Sequence, residues 1–221
     1  MKVAKVVFYI TMILPLPVTL IALYFLPDQI PAHYGFDNQV TRWGSKYEML
    51  VFPMLTILLG LILIRIMKLS SKLEQSAEKR EKNEKSCIIA GVFSFLLFNV
   101  MNLYFLYAGF AKVENLSEIP VDLMQLLFIL LGIFMIVIGC IMPGLPMNFV
   151  IGLRTAWSMK NDAVWQKCQR FGGILSIASG VLMIVACSFT KGFVCFAYSM
   201  VILAVMVPAD ICYTYHASKN S

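Results

Sequence analysis

Six runs of residues without a charged side chain divide this chain and leave almost no sequence for a water-soluble domain. They are Val6 to Pro27, Met49 to Ile64, Ser86 to Ala111, Leu123 to Leu153, Phe171 to Thr190 and Gly192 to Ala209. About 20 apolar residues, each rising ~1.5 Å along a helix, cross a hydrocarbon layer of ~30 Å, so each run can span it once. The shortest, Met49 to Ile64, needs its flanks, and Glu48, Arg65 and Lys68 reach the headgroups by snorkelling. Backbone amides inside lipid must be satisfied within the segment, and these runs are too continuously apolar for the alternating strands of a barrel. A hydrophobic content of 60%, a mean hydropathy of +0.80 and a charged fraction of 14% agree. The sequence therefore predicts an all-α, polytopic membrane fold with six transmembrane helices. The first run exceeds the roughly 7–15 residues of a signal-peptide core and lacks small residues before a cleavage point, so it reads as a retained helix.

Lysine and arginine favour the cytoplasmic side of a membrane. One side would hold Lys2, Lys5, the group Arg65 to Lys85, the group Arg154 to Arg170 and Lys219; the other would hold only Arg42, Lys46, Lys112 and Lys191. Both termini are accordingly expected in the cytoplasm. The net charge of +6 is mostly this asymmetry, together with attraction to the anionic inner leaflet. A nucleic-acid partner is not expected, because no arginine-rich stripe with interleaved aromatics lies outside the spans. The six cysteines have no CxxC spacing; Cys187 and Cys195 flank a short outer turn and could be close enough for a bridge, but the favoured reading is a pair of small buried hydrophobes.

Two connections are longer than the topology needs. The outer one, residues 27–47, carries Pro27 and Pro31, which hold an extended path, and Gly35, Asn38 and Gly44, which permit positive φ. Tyr34, Phe36 and Trp43 suit headgroup depth, and Arg42 and Lys46 could meet phosphates. Either this loop is an interfacial belt capping the helix ends, or His33, Arg42, Trp43 and Lys46 form a recognition surface of the residue types that dominate binding hot spots. His33 with Asp28 and Asp37 makes a poor metal site, and no metal or other cofactor is expected.

The inner connection, residues 143–170, begins with Pro143 and Pro146. Ser158 or Asn161 can cap a short helix with Asp162 in its first turn. Val164, Trp165, Cys168 and Phe171 share one face while Gln166, Lys167 and Arg170 face away, which predicts a helix lying in the inner interface. Within the spans, Asn99 and Asn102 should point at other helices, with Gln125 joining them. Asp210 either pairs with Arg154 or Arg170 or is a solvated carboxylate at the helix end, and Gly172, Gly173, Ser176 and Gly180 offer a small face for close packing. The stretch Ser70 to Ser86 reads as a charged extension of two helices, with Glu78 to Lys82 and Glu81 to Lys85 as i,i+4 pairs.

Enzyme chemistry is not expected: no nucleophile with its base, no paired intramembrane carboxylates and no phosphate loop is present. A small-molecule or peptide transporter of the inner membrane is the alternative, although no internal repeat or central charge marks one.

Asn148-Phe149-Val150-Ile151-Gly152-Leu153-Arg154-Thr155-Ala156-Trp157-Ser158, followed by Val164-Trp165 and Arg170-Phe171-Gly172-Gly173, resembles the conserved stretch of the SdpI family of bacterial immunity proteins, which resist a secreted sporulation-delaying toxin. The outer Leu26-Pro27-Asp28-Gln29-Ile30-Pro31-Ala32-His33, with Arg42-Trp43-Gly44-Ser45-Lys46, is similar to the domain of unknown function that commonly precedes it. The family often has proline where this chain has Ala156 and histidine where it has Gln169. The resemblance implies a bacterial plasma-membrane protein organised as an N-terminal helix pair (1–69) with an extracellular loop, a charged cytoplasmic connection (70–85) and a four-helix C-terminal part (86–221). It also implies resistance to a peptide toxin and, as a further role, signalling to a cytoplasmic ArsR-like winged-helix repressor. Asn148, Gly152, Arg154, Thr155, Trp157, Trp165, Arg170, Gly172 and Gly173 are the residues it marks on the cytoplasmic side.

Overall fold

A computed structural model describes residues 2–219 apart from Phe36, Gln75 and Phe149. The sequence expectations that fall on Phe36 and Phe149 lie outside the described residues. Among the described residues, six stretches are long and apolar enough to cross a membrane: Lys2–Phe25, Lys46–Lys72, Ala77–Ala111, Leu123–Gly144, Asp162–Phe189 and Gly192–Lys219. The helices are α1 (Lys2–Ile13), α2 (Pro15–Phe25), α3 (Val51–Leu73), α4 (Ala77–Ala111), α5 (Leu123–Ile141), α6 (Asp162–Phe189) and α7 (Gly192–Lys219). An even number of crossings puts both chain ends on one face, hereafter the terminal face. The opposite face carries a feature that the all-α expectation lacks, an antiparallel hairpin of β1 (Gln29–Tyr34) and β2 (Val40–Ser45).

The first crossing is two helices rather than one. Pro15 has no N–H, so the Thr11 carbonyl loses its helical donor. The Asn99 side-chain amide on α4 donates to that carbonyl at 3.0 Å, and one turn on, Asn102 Nδ2 donates to Thr19 Oγ1 at 2.9 Å. Both asparagines thus face the first crossing, as a polar side chain in lipid should. Gln125 does not join them. Asp122 caps α5 through the Gln125 N–H, and the Gln125 side chain turns to α6, where Nε2 donates to the Cys187 carbonyl at 2.7 Å.

Helices α5 and α6 approach through two glycine pairs one heptad apart. A Cβ built on Gly132 would stand 2.8 Å from the Gly180 carbonyl oxygen, and one on Gly139 would stand 2.6 Å from that of Gly173. Only residues without a side chain allow backbones this close. Lipid-facing positions such as Leu61, Ile174, Phe189 and Val201 are exposed apolar side chains, as a bilayer requires.

The helix expected to lie in the inner interface is instead the first part of α6. Asn161 caps it by accepting the Val164 N–H at 2.9 Å, and the helix continues through Gly172 and Gly173 to Phe189. Val164, Trp165 and Cys168 are fully buried against protein rather than lipid. Gly172 and Gly173 belong to the small face expected for close packing: both are buried and Gly173 is pressed on Gly139. At 35 residues α4 is ~52 Å long, far more than the hydrocarbon needs, and its charged first turns stand beyond it on the terminal face.

Candidate functional site

On the hairpin face, the strands pair Gln29 with Ser45, Ile30 with Gly44, Pro31 with Trp43 and His33 with Arg42. Ile30 is fully buried among Ala22, Leu23, Leu26, Met49 and Leu106, which plants the hairpin on the ends of α2 and α4. Asn38 takes positive φ (64°) at the tip. Gly35 and Gly44 do not; Gly44 is needed for room, since a Cβ there would collide with Ala32 and with the Glu48 carboxylate. The tip is also pinned to the α4–α5 connection. Val40 N–H donates to the Glu114 carbonyl, Leu116 N–H to the Asn38 carbonyl, and the Tyr34 hydroxyl to the Val113 carbonyl at 2.8 Å. Burial pushes the Tyr34 phenol up to about 12, so it remains a neutral donor.

The two cations singled out in the outer loop are paired within the protein. Arg42 makes a two-pronged contact with Glu48 at 2.9 and 2.7 Å, and the bonded carboxylate holds the guanidinium above its ordinary range. Lys46 Nζ lies 2.9 Å from Asp28. Both cations thus carry an intramolecular carboxylate partner. His33 Nδ1 sits 2.6 Å from the Thr41 hydroxyl. Trp43 is 42% exposed.

Beside the hairpin lies an apolar cleft of about 430 Å³. His33, Tyr34 and Asn38 form one wall; Phe128 of α5 and Phe193 and Phe196 of α7 form the other. Of the outer residues singled out from sequence, His33 lines this cleft, whereas Arg42 and Trp43 stand exposed on the flank of the hairpin and Lys46, half-buried, opens the turn that follows it. The aromatic wall on α5 and α7 was not legible, because each ring looks like one more lipid-facing residue.

On the terminal face, the segment between α5 and α6 is folded by its own polar side chains. Asn148 Oδ1 accepts the N–H groups of Val150 and Ile151, both at 2.8 Å, while its amide donates to the Pro146 carbonyl. Thr155 and Ser158 exchange backbone N–H to hydroxyl bonds at 2.8 and 3.0 Å. Gly152 has φ of 107°, which favours glycine, and a Cβ there would also strike the Gln169 side chain. Trp165 Nε1 donates to the Leu145 carbonyl at 2.8 Å, anchoring the start of the loop.

Gln169 is the residue missed from sequence. It is fully buried, donates to the Leu153 carbonyl at 2.9 Å and accepts the Leu153 N–H at 3.0 Å. Its place one turn beyond Trp165, on the buried stripe, was the available signal. Gly172 and Gly173 are buried, whereas Arg154, Trp157 and Arg170 are exposed. Trp157 packs edge-on against Tyr215, and Lys160 donates to the Ser218 carbonyl at 2.7 Å, so the loop is fastened to α7. Asp210 does not pair with Arg154 or Arg170. It is buried beside Gly172, and its Oδ1 has no hydrogen-bond partner.

These two faces coincide with two separate likenesses to known proteins. Residues 144–212, which hold the terminal-face loop, match the SdpI/YfhL protein family, and residues 10–57, which hold the hairpin, match a domain of unknown function, DUF1648. The immunity protein SdpI of Bacillus subtilis (strain 168) is 27% identical over 203 residues, covering 91% of this chain and 90% of the relative. Over residues 144–212 the chain is similar to the SdpI/YfhL family. No solved structure matches. The chain is a multi-pass bacterial membrane protein.

Proposed function

We propose that this protein is an immunity protein of the bacterial plasma membrane that gives resistance to a secreted antimicrobial peptide. The observation that carries the reading is the likeness to the Bacillus subtilis immunity protein along 91% of the chain, which takes in both faces at once. The basic residues favour placing the terminal face in the cytoplasm and the hairpin outside. On that orientation the peptide meets the hairpin face. The apolar cleft of about 430 Å³ suits the nonpolar side of a membrane-active peptide, and exposed Trp43 is a flat anchor at its flank.

Signalling to a cytoplasmic winged-helix repressor is the second half of the proposal. Helix α7 supports it, since Phe193 and Phe196 line the cleft at one end while Ser218 holds the loop of Arg154 and Trp157 at the other. A peptide that binds two arrangements of α7 unequally would shift the population of that loop.

The test is survival of a sensitive bacterium expressing the chain when challenged with a panel of membrane-active peptides. Selective protection, lost in Phe196→Ala while Arg154→Ala still protects, is the expected result. Inserted, abundant protein that protects against no peptide overturns the reading. Protection that comes with energy-dependent export of the peptide would instead establish the transport alternative.

A further inference from the structure

A second cavity, of about 550 Å³, opens on the terminal face between α1, the end of α3 and the start of α4. Its upper wall carries Lys5, Lys68 and Arg80; its lower wall carries Tyr9, Ile64 and Met67. The height of the cavity follows from the helices that form it. The apolar run of α3 ends near Ile64 and that of α4 starts at Ser86, so the cations sit at headgroup level and the apolar wall reaches into the acyl region. Tyr9 is 46% exposed and leaves the mouth open to lipid.

The charges inside are of both signs. Lys5 is bound to Glu84 at 2.6 Å, whereas Lys68, Arg80 and Glu81 take part in no ion pair among the described residues. Asn83 adds an independent observation. It lines the cavity, only 4% of its surface is exposed, and its Oδ1 has no hydrogen-bond partner. A buried acceptor left unpaired costs about 1–3 kcal/mol, and here the neighbouring space can hold the missing donor.

We propose that this cavity binds the headgroup of a phospholipid that joins a phosphodiester to a hydrogen-bond-donating ammonium, as in phosphatidylethanolamine. Lys68 and Arg80 receive the phosphate, and Asn83 Oδ1 and Glu81 receive the ammonium. One acyl chain lies along Tyr9, Ile64 and Met67. A trimethylated headgroup fits the phosphate but offers Asn83 no N–H. Soluble phosphoethanolamine has the right head without the chain that the lower wall covers.

The experiment is native mass spectrometry of the full-length protein released from detergent with phosphatidylethanolamine, phosphatidylcholine or soluble phosphoethanolamine, alongside Arg80→Ala, Asn83→Leu and the off-cavity control Lys85→Ala. Retention of phosphatidylethanolamine over phosphatidylcholine is expected. So is a fall of about tenfold in apparent affinity in Arg80→Ala and in Asn83→Leu, with Lys85→Ala unchanged. Equal retention of the two lipids overturns the assignment, as does undiminished binding in the two cavity variants. Soluble phosphoethanolamine competing as well as the lipid would also overturn it, by making the ligand a free phosphate. Circular dichroism of each variant separates lost binding from lost fold.

Discussion

Gln169 on α6 clasps Leu153 by both of its backbone groups, donating to the carbonyl at 2.9 Å and accepting the N–H at 3.0 Å. A helix side chain thereby substitutes for the second strand that this loop lacks. In Gln169→Leu both backbone groups lose their partner, at about 1–3 kcal/mol each, so the open population of the 145–161 loop should rise about tenfold or more. Limited proteolysis of vesicles that present the terminal face would read this directly. Gln169→Glu keeps the acceptor for the Leu153 N–H and loses the donor, and should fall between the two. Equal cleavage in all three would mean that the clasp does not hold the loop.

The spans were legible because the physics that sets them is coarse: a hydrocarbon layer excludes charge, and the six uncharged runs record that exclusion. Asn99 and Asn102 were legible for the same reason. The clasp was not, since a glutamine among Gln166, Lys167 and Arg170 looks like part of a solvated face until Trp165 is known to be buried. Gly172, Gly173 and Gly180 were legible as a small face for close packing, but not the partner they meet. That partner is α5, where Gly139 lies opposite Gly173 and Gly132 opposite Gly180. The hairpin was hidden because Pro31 and Gly44 are poor strand residues, and what holds them is burial of Ile30 and pairing to the α4–α5 connection.

Asn99 compensates a proline, and this dependence can be measured. Asn99→Leu removes the donor to the Thr11 carbonyl, an interaction worth about 0.6–1.7 kcal/mol in a membrane. In Pro15→Ala the helix regains its own donor for that carbonyl, and Asn99→Leu should then cost less. A double-mutant cycle on thermal unfolding in detergent would show a coupling of that size. Purely additive effects would separate the two residues.

The glycine pairs predict a steep size dependence. In Gly180→Ala the new methyl would meet the Gly132 carbonyl at 2.5 Å, with backbone rather than a flexible side chain in the way. Overpacking of this kind costs about 1–3 kcal/mol, and Gly180→Leu should cost more. The lipid-facing control Val181→Leu, one residue on, should leave thermal stability unchanged. If Gly180→Ala matched that control, the close approach of α5 and α6 would be wrong.

Arg42 and Glu48 tie β2 to the turn that begins the second crossing. Arg42→Glu should open the hairpin to protease added on that face, and adding Glu48→Arg should restore protection by reversing the pair. Both members are exposed, so the rescue should fade near 1 M salt, where the screening length is only ~3 Å. The orientation is tested at the same time: protease added outside whole cells should reach this hairpin and leave the 145–161 loop intact.

Cys187 and Cys195 bring their sulfurs to 2.7 Å across the α6–α7 turn, each with no exposed surface and with Ser199 Oγ 3.4 Å from the Cys187 sulfur. Both alternatives raised by the sequence meet here: the thiols are buried small side chains, and they are near enough to be joined. Copper phenanthroline should oxidise the pair, the two thiols giving up two protons and two electrons as the bond forms. Denatured samples would then show two fewer thiols reactive to a maleimide, recovered on reduction. Cys187→Ser should abolish the loss without changing the count from the four distant cysteines. The bridge would close a short loop at the end of α6, where Gln125 already holds the Cys187 carbonyl, so oxidation should raise thermal stability only slightly. A fall in stability would mean that the thiols must move apart to be oxidised, and that their contact serves packing alone.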